Sequence, residues 1–531
     1  MGVRDGFLIG MALAGLVAVG VELVGLPPAV RPGPAPDRPG IASAVDAAIR
    51  RGWAEAGVTP TQPAPDLVVM RRLALALTGS IPSLEEIRRF EARPAAARVD
   101  AYLDDLLHDR RTADYLAERF ARAFVGTEGG PFLVFRRRRF VAWLADAILE
   151  DRPYDATVRA MIADRGLWTD HPATNFVSVT YDQEAKLPDP ERLAARVSRA
   201  FLGTRIDCAQ CHDHPFQPWK QADFRGLAAF FGEARSDLRG IGDGPMLYRP
   251  ADRKTLEPTQ VAPRVPSHPE LCPDTGKGRQ RLAAWVTHPD NPALPRATAN
   301  RAWALLFGRP LVEPIDDLPP DGALPPALTL LADDFSGHGF RLHRLIRAIV
   351  ATEAFRLDGA AGADSDGPTE AEESAWAAFP LTRLRPEQVA GALDQAGKLS
   401  TLGPRTSWVF RLIGQLERND FVKMHGDTGE DEFNDRVGTI PQRLLLMNGK
   451  LANEAIQGDP FRAPGRIAAL APDDRTAVEV AYLTVLTRRP DPDEAAHFAA
   501  RLAGTSGDER KRRLTDLCWT LVNSTEFSWN H

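Results

Sequence analysis

Hydrophobic residues recur at helical spacing along nearly the whole chain, and alternation typical of strands is rare. A 3.6-residue period predicts amphipathic α-helices. Ser83 and Glu86 predict a capping box, in which side chains satisfy the free backbone amides at a helix start. Helices are predicted at 68–77, 97–107, 115–124, 140–149, 193–201, 224–231, 279–286, 298–307, 328–335, 342–350, 386–396, 478–486, 494–502 and 514–522.

The fold class is therefore predicted to be mainly α, with many helices in two principal helical domains joined by long Pro/Gly-rich loops. Residues 176–181 are the best candidate for a strand. Residues 235–273 are rich in Gly and Pro and predict a loop with a short hairpin. Residues 358–373 are rich in Gly, Ala and acidic residues and predict a mobile segment. Residues 77–85 and 486–493 share a pattern of helix, proline turn and capped helix.

Composition narrows the class of protein without identifying it. Apolar residues make up 44% of the 531 residues and charged residues 26%, which are ordinary values for a globular protein. The net charge of −6 argues against nucleic acid as a partner. The basic run 136–139 adjoins an apolar helical pattern and is interpreted as a solvated helix face.

The amino-terminal segment indicates the compartment. Residues 7–26 are apolar apart from Glu22, so 1–26 is predicted to be a signal peptide or a membrane anchor. Residues 27–44 carry six prolines and predict a stiff Pro-rich linker. The protein is expected to be exported, either periplasmic or at the cell surface, and membrane-anchored or secreted, with membrane contact through its amino terminus.

The strongest chemical motif is Cys208-Ala209-Gln210-Cys211-His212. Two cysteines three residues apart, followed by histidine, form the attachment pattern of c-type haem, in which the imidazole ligates the iron. Three other interpretations stay open: a disulfide or redox dithiol, half of a zinc site, or a segment that binds nothing. Cys272 and Cys518 do not form a second CxxC, which weakens the zinc interpretation.

Residues near the motif complete the predicted cofactor site. His212 is the predicted axial ligand, Asp213 is predicted to orient an imidazole, and His214 is predicted to make an outer contact with the cofactor. Met246, on a downstream loop, is the predicted second metal ligand. The alternatives for this ligand are Met161, His171 and Met424.

The segments around the motif resemble the planctomycete cytochrome-type domain of unknown function, followed by its usual carboxy-terminal companion domain. The resemblance rests on Arg71 to Leu73, Leu77 to Gly79, Phe201 to Gly203, Cys208 to Trp219, Asn300 to Trp303, Phe307 to Arg309, Leu311 to Asp317, Pro441 to Gly449 and Ser524 to Phe527. It implies a cytochrome-type helical domain at 45–235, a loop-rich connector at 236–275 and a helical companion domain at 276–531.

A second cluster comprises Glu313, Asp316 and Asp317 beside Arg301. Paired carboxylates can hydrolyse glycosides, but the surrounding prolines place these acids on a loop. The favoured interpretation is a buried junction in which Arg301 pairs with an acid and locks the two domains together. Residues 425–435 are acidic but lack the regular ligand spacing of a calcium loop.

The predicted function is that of an exported c-type-haem-like protein with an electron-transfer or redox role and redox partner proteins. The alternative is a non-redox surface protein or a carbohydrate-processing hydrolase, in which the CxxC is a structural disulfide or a metal site. The sequence contains no GxSxG, no HExxH and no phosphate-binding glycine loop. Whether the protein is an enzyme is left open.

Overall fold

A computed structural model describes residues 40–127, 134–251, 257–320, 322–359, 368–401 and 439–531, together with Val422 and Met424. The predicted signal or anchor segment 1–26 and the acidic loop 425–435 lie outside the described residues. Part of the predicted mobile segment, 360–367, lies outside them too. Within the described ranges, no helix is both long and apolar enough to cross a membrane.

The described chain is mainly α, as the sequence predicts. The helices up to residue 229 are Gly40–Ala56, Asp66–Thr78, Leu84–Glu91, Arg98–Leu107, Arg110–Val125, Arg137–Leu149, Tyr154–Ala163, Asn175–Ser178, Pro190–Val197 with a π-helical extension Ser198–Leu202, and Gln221–Ala229. The later helices are Gly278–Val286, Ala293–Phe307, Pro326–Gly337, Leu342–Val350, Glu353–Arg356, Glu370–Ser374, Pro386–Ala396, Ile440–Asn448, Lys450–Ala455, Ala463–Leu470, Asp474–Leu486, Pro492–Leu502 and Gly507–Val522. Short 3₁₀ turns lie at Pro172–Thr174, Asp207–Gln210, Pro269–Leu271 and Glu526–Ser528.

Strands are few and short. Each described sheet is an antiparallel pair: Tyr181–Asp182 with Leu187–Pro188, Ala234–Asp237 with Gly240–Asp243, and Thr382–Arg383 with Trp529–Asn530. The second pair is the short hairpin predicted for the loop-rich segment.

Two sequence predictions are wrong in their bounds or type. The predicted linker 27–44 ends too late, because a helix begins at Gly40, directly after the last proline, and buries Val45, Ile49 and Trp53 along one face. The candidate strand 176–181 is wrong for most of its length, since residues 176–178 belong to the helical turn Asn175–Ser178 and only Tyr181 lies in a strand. The start of this helical turn is fixed by Asn175, whose side-chain amide donates to two backbone carbonyls at 2.9 Å.

The shared pattern at 77–85 and 486–493 corresponds to a shared structure. The first helix of each pair ends on a residue in the left-handed region, Gly79 at φ 65° and Thr487 at φ 60°. The second helix of each pair begins with a capping box, formed by Ser83 with Glu86 and by Asp491 with Glu494. The capping box predicted at Ser83 is therefore confirmed.

Buried side chains form two hydrophobic clusters. The first runs from Val45 to Phe379 and includes Leu483, so it draws on both the predicted ranges 45–235 and 276–531. The second takes most of its members from 384–527, together with Leu75 and Ile81. The predicted domain boundaries stay predictions.

Two buried arginines of the helix Asp66–Thr78 link these clusters. Arg71 donates to the carbonyls of Val485 and Phe527, both at 3.2 Å. Arg72 is fully buried, and burial lowers its pKa to about 9. Its guanidinium donates to three carbonyls at 2.6–3.0 Å and its Cζ lies 3.7 Å from the ring centroid of Phe379. The acceptors of Arg72 are the carbonyls of Phe355, Leu357 and His531.

We expect Arg72→Ala to lower the free energy of unfolding by about 3 kcal/mol, because three carbonyls and an aromatic face lose their cationic partner in a buried site. Urea denaturation measures the change. The matched control is Arg50→Ala, since Arg50 is 58% exposed and pairs with Glu353 at the surface. That control should cost about 0.5 kcal/mol. Equal effects of the two substitutions would contradict the anchoring role of Arg72.

A buried histidine makes stability sensitive to acid. His343 is 4% exposed, its ring centroid lies 6.0 Å from that of His108, and its Nε2 has no hydrogen-bond partner among the described residues. Burial lowers its pKa from 6.5. Asp151 has the next largest effect and opposes this shift, while the neighbouring Arg347 and His108 lower the pKa further.

Because the folded pKa of His343 lies below the unfolded value, acid favours the unfolded chain. Its contribution to stability is complete above about pH 6.5 and is lost as the pH falls toward the folded pKa, at up to about 1.4 kcal/mol per pH unit. We expect His343→Gln to flatten this part of the profile of unfolding free energy against pH. His338→Gln, at a residue whose side chain is 53% exposed, is the control and should leave the profile unchanged. Parallel profiles for wild type and His343→Gln would contradict the prediction.

Candidate functional site

The CxxCH segment lies on the surface, between the π-helical turn Ser198–Leu202 and the helix Gln221–Ala229. It begins beyond Gly203, which has φ 60° and would place a Cβ 3.1 Å from Leu318 Cδ1. Glycine fits here because it accepts the left-handed conformation and leaves room for Leu318. The Leu318 amide donates to the Gly203 carbonyl at 2.7 Å, which fixes the start of the loop against the later segment.

The two motif cysteines are accessible free thiols. Cys208 is exposed and Cys211 is partly exposed, and a 3₁₀ turn, Asp207–Gln210, carries the first of them. Ala209, between them, is fully buried and anchors the turn in the core. The segment therefore presents its thiols to solvent while its backbone is held by packing.

The exposed imidazole of His212 has a defined tautomer. Its Nδ1 lies 2.7 Å from the backbone carbonyl of Asp213. A carbonyl only accepts hydrogen bonds, so Nδ1 carries the proton and the neutral ring has its lone pair on Nε2. An imidazole whose Nδ1–H is held by a carbonyl is the usual arrangement for a metal ligand that binds through Nε2.

His214 has the opposite tautomer. Its Nδ1 accepts the backbone amides of Phe216 and Gln217, at 3.2 and 3.1 Å. Nδ1 must therefore be unprotonated, and the neutral ring carries its proton on Nε2. The structure assigns His214 the role of building the turn 214–217, and its predicted contact with a cofactor stays a prediction.

The helix Gln221–Ala229 holds the motif from the other side. The Gln221 side chain donates to the carbonyls of Gln210 and Cys211, at 3.2 and 3.0 Å. The Gln221 amide donates to the Asp213 carboxylate at 2.9 Å. The backbone carbonyl of Asp213 thus accepts the His212 imidazole, and its carboxylate binds the helix start. The role of Asp213 at a cofactor stays a prediction.

The predicted acidic cluster forms a junction with the motif loop. Arg205 donates to Asp316 at 2.8 Å, and the Arg205 amide donates to Asp317 at 3.1 Å. Asp317 also accepts the side-chain amide of Gln217 at 3.1 Å, and Gln217 accepts the indole N–H of Trp219 at 2.8 Å. These carboxylates therefore stabilise the chain on both sides of the CxxCH segment.

The predicted pairing of Arg301 with one of these acids is wrong. Arg301 is 7% exposed and donates to the Ala200 carbonyl at 2.9 Å, with Phe124 on one face. Glu313 has a side chain that is 54% exposed and lies 3.7 Å from Arg309. Asn300 instead holds the loop through its side-chain amide, which exchanges hydrogen bonds with the Val312 backbone at 2.9 and 3.0 Å. Only the tertiary structure identifies Arg205 as the cation of the junction.

The predicted second ligand, Met246, is 55% exposed on a loop that is hydrogen-bonded to the motif region. Tyr248 donates to Glu191 at 2.6 Å, and Glu191 accepts the side chain of Gln210 at 2.5 Å. The assignment of Met246 as a metal ligand stays a prediction.

The alternative ligands lie in different environments. Met161 is fully buried in the first core, whereas Met424 is 64% exposed. His171 lies 3.4 Å from Asp164. Among the described residues, no group of three or more His, Cys, Asp or Glu side chains is arranged to hold a metal ion.

The two cysteines outside the motif, Cys272 and Cys518, lie in environments that raise the pKa of their thiols. Burial raises the pKa of Cys518 to about 12, and burial also raises the pKa of the partly exposed Cys272. Low thiolate content at neutral pH makes both thiols poor nucleophiles. They therefore serve as matched controls for chemistry at Cys208 and Cys211.

Large apolar side chains are exposed on the segments that follow the motif. Within the described part of 40–401, the large apolar residues that are exposed all lie between 216 and 247. They include Phe216 at 92% exposure, and Met246 and Leu247 at 55% and 47%. Such a concentration near one motif is typical of a binding surface.

Sequence reasoning missed Glu191 and Gln221, which hold the motif through side-chain hydrogen bonds. Each is a polar residue in the first turn of a helix, and such a residue is ordinarily interpreted as stabilising the start of that helix. Nothing in their spacing indicates which distant segment they contact.

Comparison with protein families finds two matches in succession. Residues 44–236 match the family model PSCyt2, described as a protein of unknown function (DUF1549), and residues 278–409 match PSD1, a protein of unknown function (DUF1553). The predicted resemblance to two successive domains of unknown function is thereby confirmed. The cytochrome-type interpretation and the planctomycete origin stay predictions. No curated protein and no solved structure matches the chain significantly.

We expect Arg301→Ala to lower the free energy of unfolding by about 2 kcal/mol, because it removes a charged hydrogen bond and cationic packing at a buried site. Glu313→Gln, at the exposed acid, should change it by less than about 0.5 kcal/mol. Thermal unfolding of both variants measures the difference. A loss of stability in Glu313→Gln equal to that of Arg301→Ala would restore the pairing that the structure argues against.

Proposed function

We propose that this protein is an exported c-type-haem protein with an electron-transfer or redox role. In this proposal Cys208 and Cys211 would hold a single haem c through thioethers, and His212 and Met246 would be its iron ligands. The bound haem would supply one-electron redox chemistry. Redox partner proteins are the expected partners.

The observation that carries the proposal is the hydrogen bond from His212 Nδ1 to the Asp213 carbonyl. It leaves Nε2 as the basic nitrogen on an exposed ring, directly after two accessible thiols. The residues present therefore fit a covalently attached haem in tautomer, thiol state and accessibility.

Two further features support the proposal. Two exposed apolar side chains offer contact to a flat apolar cofactor: Phe216, on the loop directly after the motif, and Met246, on the loop that Glu191 joins to Gln210. Hydrogen bonds from Gln221 hold the motif backbone, so the thiols and imidazole are presented by a fixed loop. Export agrees with this chemistry, because covalent haem attachment belongs outside the reducing cytosol.

The test is coexpression of the full chain with a cytochrome maturation system, followed by a haem-stained denaturing gel and a pyridine haemochrome spectrum. We expect one covalent haem per chain in the wild type. Loss of covalent haem is expected in the double variant Cys208→Ser/Cys211→Ser, whereas Cys272→Ser retains it. His214→Ala should also retain attachment, because that ring builds a turn.

The absence of covalent haem in the wild type, in cells that mature a reference c-type cytochrome, would overturn the proposal. Thiol titration of the same protein would then identify the alternative. Two fewer titratable thiols than the four cysteines of the chain would indicate a structural disulfide in a non-redox protein.

A further inference from the structure

The carboxylate of Glu191 bridges two loops that are distant in sequence. Oε2 accepts the Gln210 side-chain amide at 2.5 Å, and Oε1 accepts the Tyr248 hydroxyl at 2.6 Å. Gln210 lies between the two motif cysteines, and Tyr248 follows Met246 by two residues. One side chain thus contacts both predicted ligand-bearing segments.

The loop on the Tyr248 side is fixed at both ends. The Gly244 amide donates to the Glu233 carbonyl at 2.7 Å, and the Val261 amide donates to the Tyr248 carbonyl at 3.2 Å. Tyr248 is 8% exposed, and its backbone passes so close to Gly232 that a Cβ there would lie 2.4 Å from the Tyr248 nitrogen. Met246 is therefore at the centre of a short arch held at 244 and 248.

Glu191 is itself fixed by the helix that it begins. The Asp189 side chain accepts the Glu191 amide at 2.9 Å as the N-cap of the helix Pro190–Val197. Burial raises the pKa of the Tyr248 hydroxyl, and the hydrogen bond to Glu191 raises it further, so the hydroxyl stays protonated and donates. The bridge therefore consists of the Glu191 carboxylate, fixed by its helix, which accepts hydrogen bonds from Gln210 and Tyr248.

We propose that Glu191 is a positioning residue that holds the Cys208–His212 segment and the Met246 loop at a fixed separation. The inference rests on the proposed function and deepens it, because it names the residue that sets how the two ligand-bearing loops face one cofactor. In this role Glu191 makes no direct contact with the cofactor.

The first test uses the full chain without haem and measures amide hydrogen exchange. The reporters are Ala209, whose amide bonds to the Ile206 carbonyl in the motif turn, and Val261, whose amide bonds to the Tyr248 carbonyl. We expect Glu191→Ala to raise exchange about tenfold at both, since it removes two charge-assisted hydrogen bonds. Tyr248→Phe should raise exchange mainly at Val261. The control Glu184→Ala, at an exposed acid on the preceding turn, should change neither.

The second test uses the haem-loaded protein. We expect Glu191→Ala to retain covalent haem, because both cysteines remain, while its reduction potential shifts and the absorption band of methionine ligation weakens. Glu191→Gln should fall between wild type and Glu191→Ala, since Gln210 and Tyr248 bind different carboxylate oxygens and the amide replaces one of those oxygens by an NH₂ group, which cannot accept.

The two proposals fail in different ways. Unchanged exchange at either reporter in Glu191→Ala would overturn the positioning role, whether or not haem is attached. Increased exchange at both reporters with no haem in the wild type would support the bridge as a structural element and overturn the proposed function alone. Haem attachment with an unshifted potential in Glu191→Ala would also overturn the positioning role.

Discussion

The anchoring of buried guanidinium groups by backbone carbonyls is the constraint on which the rest of the structure depends. Arg71 and Arg72 are adjacent on one helix, yet their acceptors lie in segments some 280 to 460 residues away. A buried cation without such acceptors would carry a large desolvation cost. The helix Asp66–Thr78 therefore depends on the later segments for the acceptors of its two buried cations, which couples the two hydrophobic clusters.

The backbone of the exposed CxxCH segment is also held by contacts with residues from other parts of the chain. Its thiols and imidazole are exposed, but the backbone that carries them is held by Gln221, by Gly203 packed on Leu318, and by the junction of Arg205 with two acids. Function at an exposed loop requires a rigid support, because an unsupported loop spends little time in one geometry. The matched families leave the chemistry open. The tautomer of His212 is therefore the most informative evidence for a ligand role.

The junction also shows how the later segment supports the motif region. Asp317 accepts hydrogen bonds from the Arg205 backbone and from the Gln217 side chain, so the later segment completes the loop on both sides of the CxxCH motif. The carboxylates of Asp316 and Asp317 therefore accept hydrogen bonds that stabilise this loop. Nothing in their observed contacts requires a hydrolytic role, and their geometry supports a structural interpretation of the cluster.

The sequence by itself determined the helical class, the positions of most helices and the capping box at Ser83, because periodicity and caps depend on residues a few positions apart. It also determined the candidate motif, since the spacing of Cys208, Cys211 and His212 is local. The tertiary structure alone decided that Arg205 and not Arg301 meets the acids, that His214 builds a turn, and that Glu191 bridges two loops. These contacts join residues whose side chains meet only after the chain has packed, and no local pattern encodes which distant partner a polar side chain will find.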